Sequence, residues 1–356
     1  MKIKTIIYCA LLFSITSCDK ESESPDFDRG AMLVDLNTQV IQNAYSSNQA
    51  AFEQLDLDAN QFYAEPTNLS LANLRESFRS AYLQFQHLKM FNFGYFESYE
   101  IRKAINTYPT DTAKIQSNIN TGAYHLELAE NVQAIGLPAL DYLLFGRNDS
   151  DVLLSFTTDT DASNRLSYLT AVTLKMKNEI KAAAEAWSTE SQDFVQTTGN
   201  DATGSTNILF NAFVQDIELL KNAKIGIPAG NQTGGSTLPN YAEAFFSDLS
   251  IELAIENVKA LKNCFLGNNS IGFDDYIRDV ESADVQISLA DQIASKFDDC
   301  EQALISVGAP LSERVNSDNA SVQVAYTEIK SLVTYVKTDM ASALGLLITF
   351  SDNDGD

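Results

Sequence analysis

The chain has 356 residues, 45% of them hydrophobic, which is enough for a substantial core and suggests two domains. Its 48 acidic residues outnumber 24 Lys and Arg, and the net charge of −24 repels nucleic acid and anionic lipid, excluding both as partners. Such a surface attracts cations, although the simpler account is that acidity keeps the protein soluble.

The chain opens MKIKTIIYCALLFSITSC. Lys2 and Lys4 form a positive start, and Ile6 to Phe13 an apolar stretch too short to span a bilayer. Ile15-Thr16-Ser17-Cys18 resembles a bacterial lipobox. Residues 1–17 are therefore expected to be a cleaved signal peptide, with Cys18 lipidated and the mature chain held on a membrane through that anchor. One acyl chain anchors only marginally, at roughly 0.8 kcal/mol per buried CH2, so two or three are expected. Residues 18–29, CDKESESPDFDRG up to Arg29, are polar and carry a proline, as a flexible tether does. The expected location is the bacterial cell envelope, at the outer membrane, facing the periplasm or the outside.

Beyond the tether, apolar residues recur every three or four positions. Leu33, Val34, Leu36, Val40, Ile41 and Ala44 continue toward Phe52 and Leu55. Leu71, Leu74, Phe78, Tyr82, Phe85 and Leu88 form a second stripe, which Thr67-Asn68-Leu69-Ser70 is placed to cap. A third runs from Leu166 to Trp187, with Asp161 or Ser163 at its start. Others follow over Ile208–Leu220 and Val322–Leu347. This spacing turns one face of each helix toward a core. Strand-like alternation is rare. The fold class expected is all-α, as two packed helical bundles over residues 30–190 and 205–350. Residues 188–206 are rich in Ser, Thr and Gly and read as the link between them. Residues 225–240 read as a long loop of the kind that often serves function. Cys264 and Cys300 each fall on a predicted helix. In an oxidising compartment they are a candidate disulfide, with two buried free thiols as the alternative.

Four segments resemble one family. AIGLPALDYLLFG, Ala134 to Gly146, is similar to the signature of the imelysin family, Gly-x-His-x-x-Glu followed by a Tyr-Leu-Leu-Phe-Gly-like tail. Leu74 to Gly94 resembles its Leu-Arg, aromatic and Phe-x-Phe-Gly run, and Ile105 to Ile119 its aromatic-Pro-x-Asp segment. KIGIPAG and then Leu238 to Ser250 resemble its second conserved region, a Glu followed by serines. The resemblance implies two helical bundles related by a pseudo-repeat, with a cleft between them. It implies an exported protein, often a lipoprotein, tied in several members to iron uptake. It places metal ligands or site residues at the Gly-x-His-x-x-Glu element.

His and Glu three residues apart share a helical face and could converge on one cation. Here the motif reads Gly136-Leu137-Pro138-Ala139-Leu140-Asp141. Pro138 has no side-chain donor or acceptor, and suits the first turn of a helix. Asp141 keeps the carboxylate on a shorter stem. The cleft residues carried over are Gly136, Pro138, Asp141, Glu243, Ser247 and Ser250, with Asp141 and Glu243 as candidate metal ligands for a divalent or ferric ion. Glu243 and Ser247 are expected to share a helix face. His87 and His125 read better as structural or surface residues, and Arg75 as a surface residue more readily than as an anchor for an acid.

No phosphate loop, His-Glu-x-x-His or Gly-x-Ser-x-Gly is present. Loss of the motif histidine favours a non-catalytic binding lipoprotein of iron or other nutrient acquisition, working with iron-uptake or other envelope proteins. The alternatives are a metal-dependent peptidase-like hydrolase with replaced ligands, or a metal-free cleft for a peptide, glycan or partner protein.

Overall fold

The computed structural model describes residues 27–199, 201–282, 285–308 and 310–349, and among these every regular element is helical. The signal-peptide and Cys18 expectations lie outside the described residues. So does most of the tether, whose last residue, Arg29, already begins a helix.

In the first half, α1 (Arg29–Asp35) passes through a wide π-type turn, Leu36–Ile41, into α2 (Gln42–Ala64). After a short connection comes α3 (Asn68–Leu88). Thr67 and Ser70 form a reciprocal cap at its start, with the Thr67 N–H donating to Ser70 Oγ at 3.0 Å. Five short helices follow: α4 (Gly94–Ser98), α5 (Ile101–Ile105), α6 (Thr112–Thr121), α7 (Gly136–Phe145) and α8 (Asp149–Thr157). The long α9 (Ala162–Gln196) closes the bundle, and α2 packs against both α3 and α9. Phe52, Phe78, Tyr82 and Phe85 are fully buried between them. Each such side chain stabilises the fold by about 1.5–3 kcal/mol through burial.

The polar run expected to begin at 188 is still helix as far as Gln196. Trp187 and Phe194 explain why. Both are buried, their rings 5.3 Å apart, and the Trp187 indole N–H donates to Asn37 Oδ1 at 3.1 Å. Two apolar anchors one face apart outweigh the polar residues between them.

The second half begins with α10 (Ser205–Leu219), which widens into a π-type turn, Leu220–Gly226. Turns occupy the expected loop, and then come α11 (Ser250–Phe265) and α12 (Phe273–Val280). The bundle is completed by α13 (Leu289–Val307), α14 (Leu311–Ser317), α15 (Asn319–Thr334) and α16 (Ala341–Leu344), with α13 lying against α11 and α15. Cys264 on α11 and Cys300 on α13 are buried free thiols, so the disulfide expectation gives way to its alternative. A buried thiol packs as a small apolar group, and that is how both are used here. The halves meet along α3 and α11. No described helix is long and apolar enough to cross a membrane.

Candidate functional site

The seam between the halves holds two adjoining cavities, of about 250 and about 200 Å³, and Tyr108 borders both. Their walls are set by one close approach. Gly136 opens α7 with φ +79°, and a Cβ there would lie 2.4 Å from the Ile105 carbonyl oxygen. Only glycine lets α7 start against the end of α5 in this way. Pro138 is the third residue of α7, in the first turn, where a missing N–H costs nothing. It lines the smaller cavity with Asp141.

Asp141 is buried, and its carboxylate points across the seam. Oδ2 accepts the Phe246 N–H at 2.8 Å and Oδ1 accepts the Ser247 N–H at 2.9 Å. Burial pushes this carboxyl up to about 7, and the hydrogen bonds from Ser247 and Phe246 pull it partly back. The segment it grips is a turn. Residues 242–249 are not helical, and Ala244 and Asp248 have φ of 49° and 62°. Glu243 and Ser247 therefore do not share a helix face as expected. The helix begins at Ser250, whose hydroxyl donates to the Glu243 carbonyl.

Glu243 turns its side chain the other way, into the floor of the larger cavity. It is buried and ion-paired with Lys224, itself buried in the π-type turn. Its Oε1 accepts from Asn106 Nδ2 at 2.7 Å, and Asn106 Oδ1 accepts from the Tyr82 hydroxyl at 2.8 Å. Lys224 also donates to Gln86 Oε1 at 2.9 Å. Beside this pair lies a second one, Lys89 with Asp216, tied together by Asn257 at 3.0 and 2.6 Å. Burial lowers the Lys89 ammonium to about 8, with Asp216 opposing and Lys224 assisting the shift. Burial also raises the Tyr82 and Tyr108 hydroxyls well above the usual range, with Glu243 adding to both.

Of the six cleft residues carried over from the sequence, Pro138, Asp141 and Glu243 line the two cavities, whereas Gly136, Ser247 and Ser250 line neither. The oxygens of Asp141 take main-chain N–H groups, and those of Glu243 take an ammonium and an amide. Among the described residues no three His, Cys, Asp or Glu side chains come together to hold an ion. A lysine ammonium already supplies the positive charge that a metal would supply at Glu243. In place of the expected pairing of Asp141 and Glu243 as ligands, the two carboxylates belong to two separate hydrogen-bond networks.

The remaining candidates lie elsewhere. His87 Nε2 is 2.7 Å from Glu256 Oε1, across the α3–α11 contact. His125 is exposed in a loop, 3.3 Å from Glu127. Arg75 caps the end of α7, donating twice to the Leu144 carbonyl at 3.1 and 2.7 Å, pairing with Asp149 and covering the Phe145 ring. Lys89, Arg102, Asn106, Asp216 and Lys224 were not singled out from the sequence. A signal for two of them was there. Lys89 follows Phe85 by four residues and Lys224 follows Leu220 by four, so each continues an apolar stripe with a charge.

Comparison with known proteins agrees with this architecture. The imelysin family model matches residues 41–336. A crystal structure from Parabacteroides distasonis, described as an iron-regulated protein A precursor, superposes with a TM-score of 0.75 at 16% identity, covering 91% of this chain and 97% of that one. The crystal structure of an imelysin-like protein from Psychrobacter arcticum gives 0.73 at 16% identity, covering 90% and 97%. At that identity the likeness is one of fold. A search of curated proteins returns no match.

Proposed function

This chain belongs to the imelysin family, and from that premise we propose that it is a non-catalytic binding protein of the bacterial cell envelope. The observation that carries this reading is the burial of Glu243 in an ion pair with Lys224, in the cavity next to the one that Pro138 lines. A general base needs a free lone pair within reach of its proton. Here Pro138 stands where the motif that the sequence resembles has a histidine, Glu243 is taken up by Lys224 and Asn106, and each Asp141 oxygen accepts a main-chain N–H. Neither histidine of the chain lines the two cavities. What is left is a cleft between the two halves of the chain, which is the form of a binding site.

The envelope setting is supported by Lys2, Lys4, the apolar stretch Ile6 to Phe13 and the Ser17-Cys18 junction. A role in iron or other nutrient acquisition is supported by the fold shared with a protein described as iron-regulated. Membrane attachment through Cys18 and contact with uptake proteins belong to the same proposal.

The test is incubation of the purified full chain with a peptide library, with and without added Fe2+ or Zn2+, read by mass spectrometry. No cleavage is expected under any condition. Cleavage that disappears in Asp141→Ala overturns the proposal in favour of a hydrolase. Growth with labelled palmitate tests the anchor, with label expected on the wild type and absent from Cys18→Ser.

A further inference from the structure

We propose that the larger cavity binds a small organic monocarboxylate, gripped by the guanidinium of Arg102. The inference rests on the binding-protein reading above and adds the class of ligand.

The cavity is unusually basic for so acidic a chain. Lys89, Arg102, Lys103 and Lys224 reach it from three elements, against one lining carboxylate, Glu243. The three lysines are already balanced, Lys224 by Glu243, Lys89 by Asp216 and Lys103 by Glu100. Arg102 is not. Its Nη1 and Nη2 both donate to one neutral acceptor, Gln215 Oε1, at 3.2 Å. No carboxylate among the described residues lies within ion-pairing distance of it. Asp216 and Glu97 act on it only from further away, and burial lowers its pKa. Arg102 is therefore a half-buried cation on a cavity wall, held in place by an amide that leaves its charge unmatched.

Taking a charge out of water is costly unless an opposite charge meets it. A guanidinium carries five donors in a planar fork, and Gln215 engages two of its N–H groups. The fork suits a carboxylate, which accepts two parallel hydrogen bonds. The unmatched charge amounts to one, so a monoanion balances it and a dianion overshoots. Apart from Asn106 and Thr107, the rest of the wall is apolar or aromatic: Leu219, Ala223, Ile227, Tyr108 and Tyr241. A short aliphatic or aromatic body fits there. At about 250 Å³ the cavity lies just under the range of drug-sized sites, which sets a small ligand. The surrounding field of a chain at −24 disfavours anions in general, so an acid that binds does so through local contacts.

The experiment is calorimetric titration of the full chain with matched acids and primary amides: butyrate and butyramide, 4-methylpentanoate and its amide, benzoate and benzamide. At least one acid is expected to bind about tenfold or more tightly than its amide, the worth of hydrogen bonds to a charged group. Arg102→Met is expected to remove that preference, and Arg102→Lys to keep part of it, with thermal melting followed alongside. The acid–amide comparison on the wild type needs no variant and stands even if Arg102→Met does not fold. Equal binding of acid and amide, absence of binding by every acid, or an acid preference that survives Arg102→Met in a folded protein overturns the proposal. Each of those results leaves the peptide-cleavage test, and so the binding-protein reading, to be decided separately.

Discussion

The carboxylate of Asp141 accepts the main-chain N–H of Ser247 at 2.9 Å, a bond between residues 106 positions apart. With the Phe246 N–H at 2.8 Å it ties the first turns of α7 to the strained turn that precedes α11. One side chain thereby fixes the spacing of the two halves where the cleft lies.

Burial of that carboxyl makes stability depend on pH. Burial raises the Asp141 carboxyl to about 7 from an ordinary 3.8. A folded-state pKa above the unfolded one gives stability that is fully present below about 3.8 and lost as pH rises through about 7. Asp141→Asn has no such proton to lose. The gap in unfolding free energy between wild type and Asp141→Asn is expected to shrink between pH 4 and pH 7, by on the order of a few kcal/mol. Urea titrations at several pH values measure it. A gap that stays constant over the range means that burial does not raise this group.

Lys224 and Glu243 offer a second test. Lys224→Met leaves a buried carboxylate without its cation, and a loss of about 3–5 kcal/mol is expected. Lys224→Met combined with Glu243→Gln removes both charges, and most of that loss should return. Guanidinium chloride unfolding of the wild type, the single and the double variants closes the cycle. A double variant as unstable as the single contradicts the pairing.

Gly136 and Gly234 differ in a useful way. Both have positive φ, +79° and +65°, but a Cβ at Gly136 meets the Ile105 carbonyl oxygen, whereas one at Gly234 meets nothing within 4 Å. Gly234→Ala is expected to cost about 1 kcal/mol from the left-handed backbone alone. Gly136→Ala adds a steric clash and should cost about 2–4 kcal/mol. Equal melting temperatures for the two variants would show that α7 does not depend on this approach to α5.

The cysteines give the simplest check. Burial pushes the Cys264 and Cys300 thiols up to about 12, so neither is a thiolate at neutral pH. A thiol reagent such as DTNB is expected to leave both untouched in the native protein and to titrate both after denaturation. Added reductant should not change the melting temperature. A mass two hydrogens short after alkylation in denaturant would restore the disulfide.

The helices were legible because helix formation is read from near neighbours. The stripes ending at Leu88, Trp187 and Leu220 and the Thr67–Ser70 cap are patterns within a few turns, and the structure follows them. The stop of α9 was misplaced because Phe194 draws its partner from Trp187 and Phe93, and polar composition says nothing of that. The motif pointed to Gly136, Pro138 and Asp141, and family order pointed to Glu243, Ser247 and Ser250. Their roles could not be read in the same way. Whether a carboxylate takes a metal, a lysine or two N–H groups depends on what faces it. Asp141 faces Phe246 and Ser247, and Glu243 faces Lys224 and Asn106, over separations that no local pattern encodes. Among the described residues Arg102 hydrogen-bonds through its side chain to Gln215 alone. The sequence by itself determined a helical, acidic chain with segments that resemble one family. Only the tertiary structure decided what each buried charge faces, because burial is costly for a charge and its partners come from segments far apart in sequence.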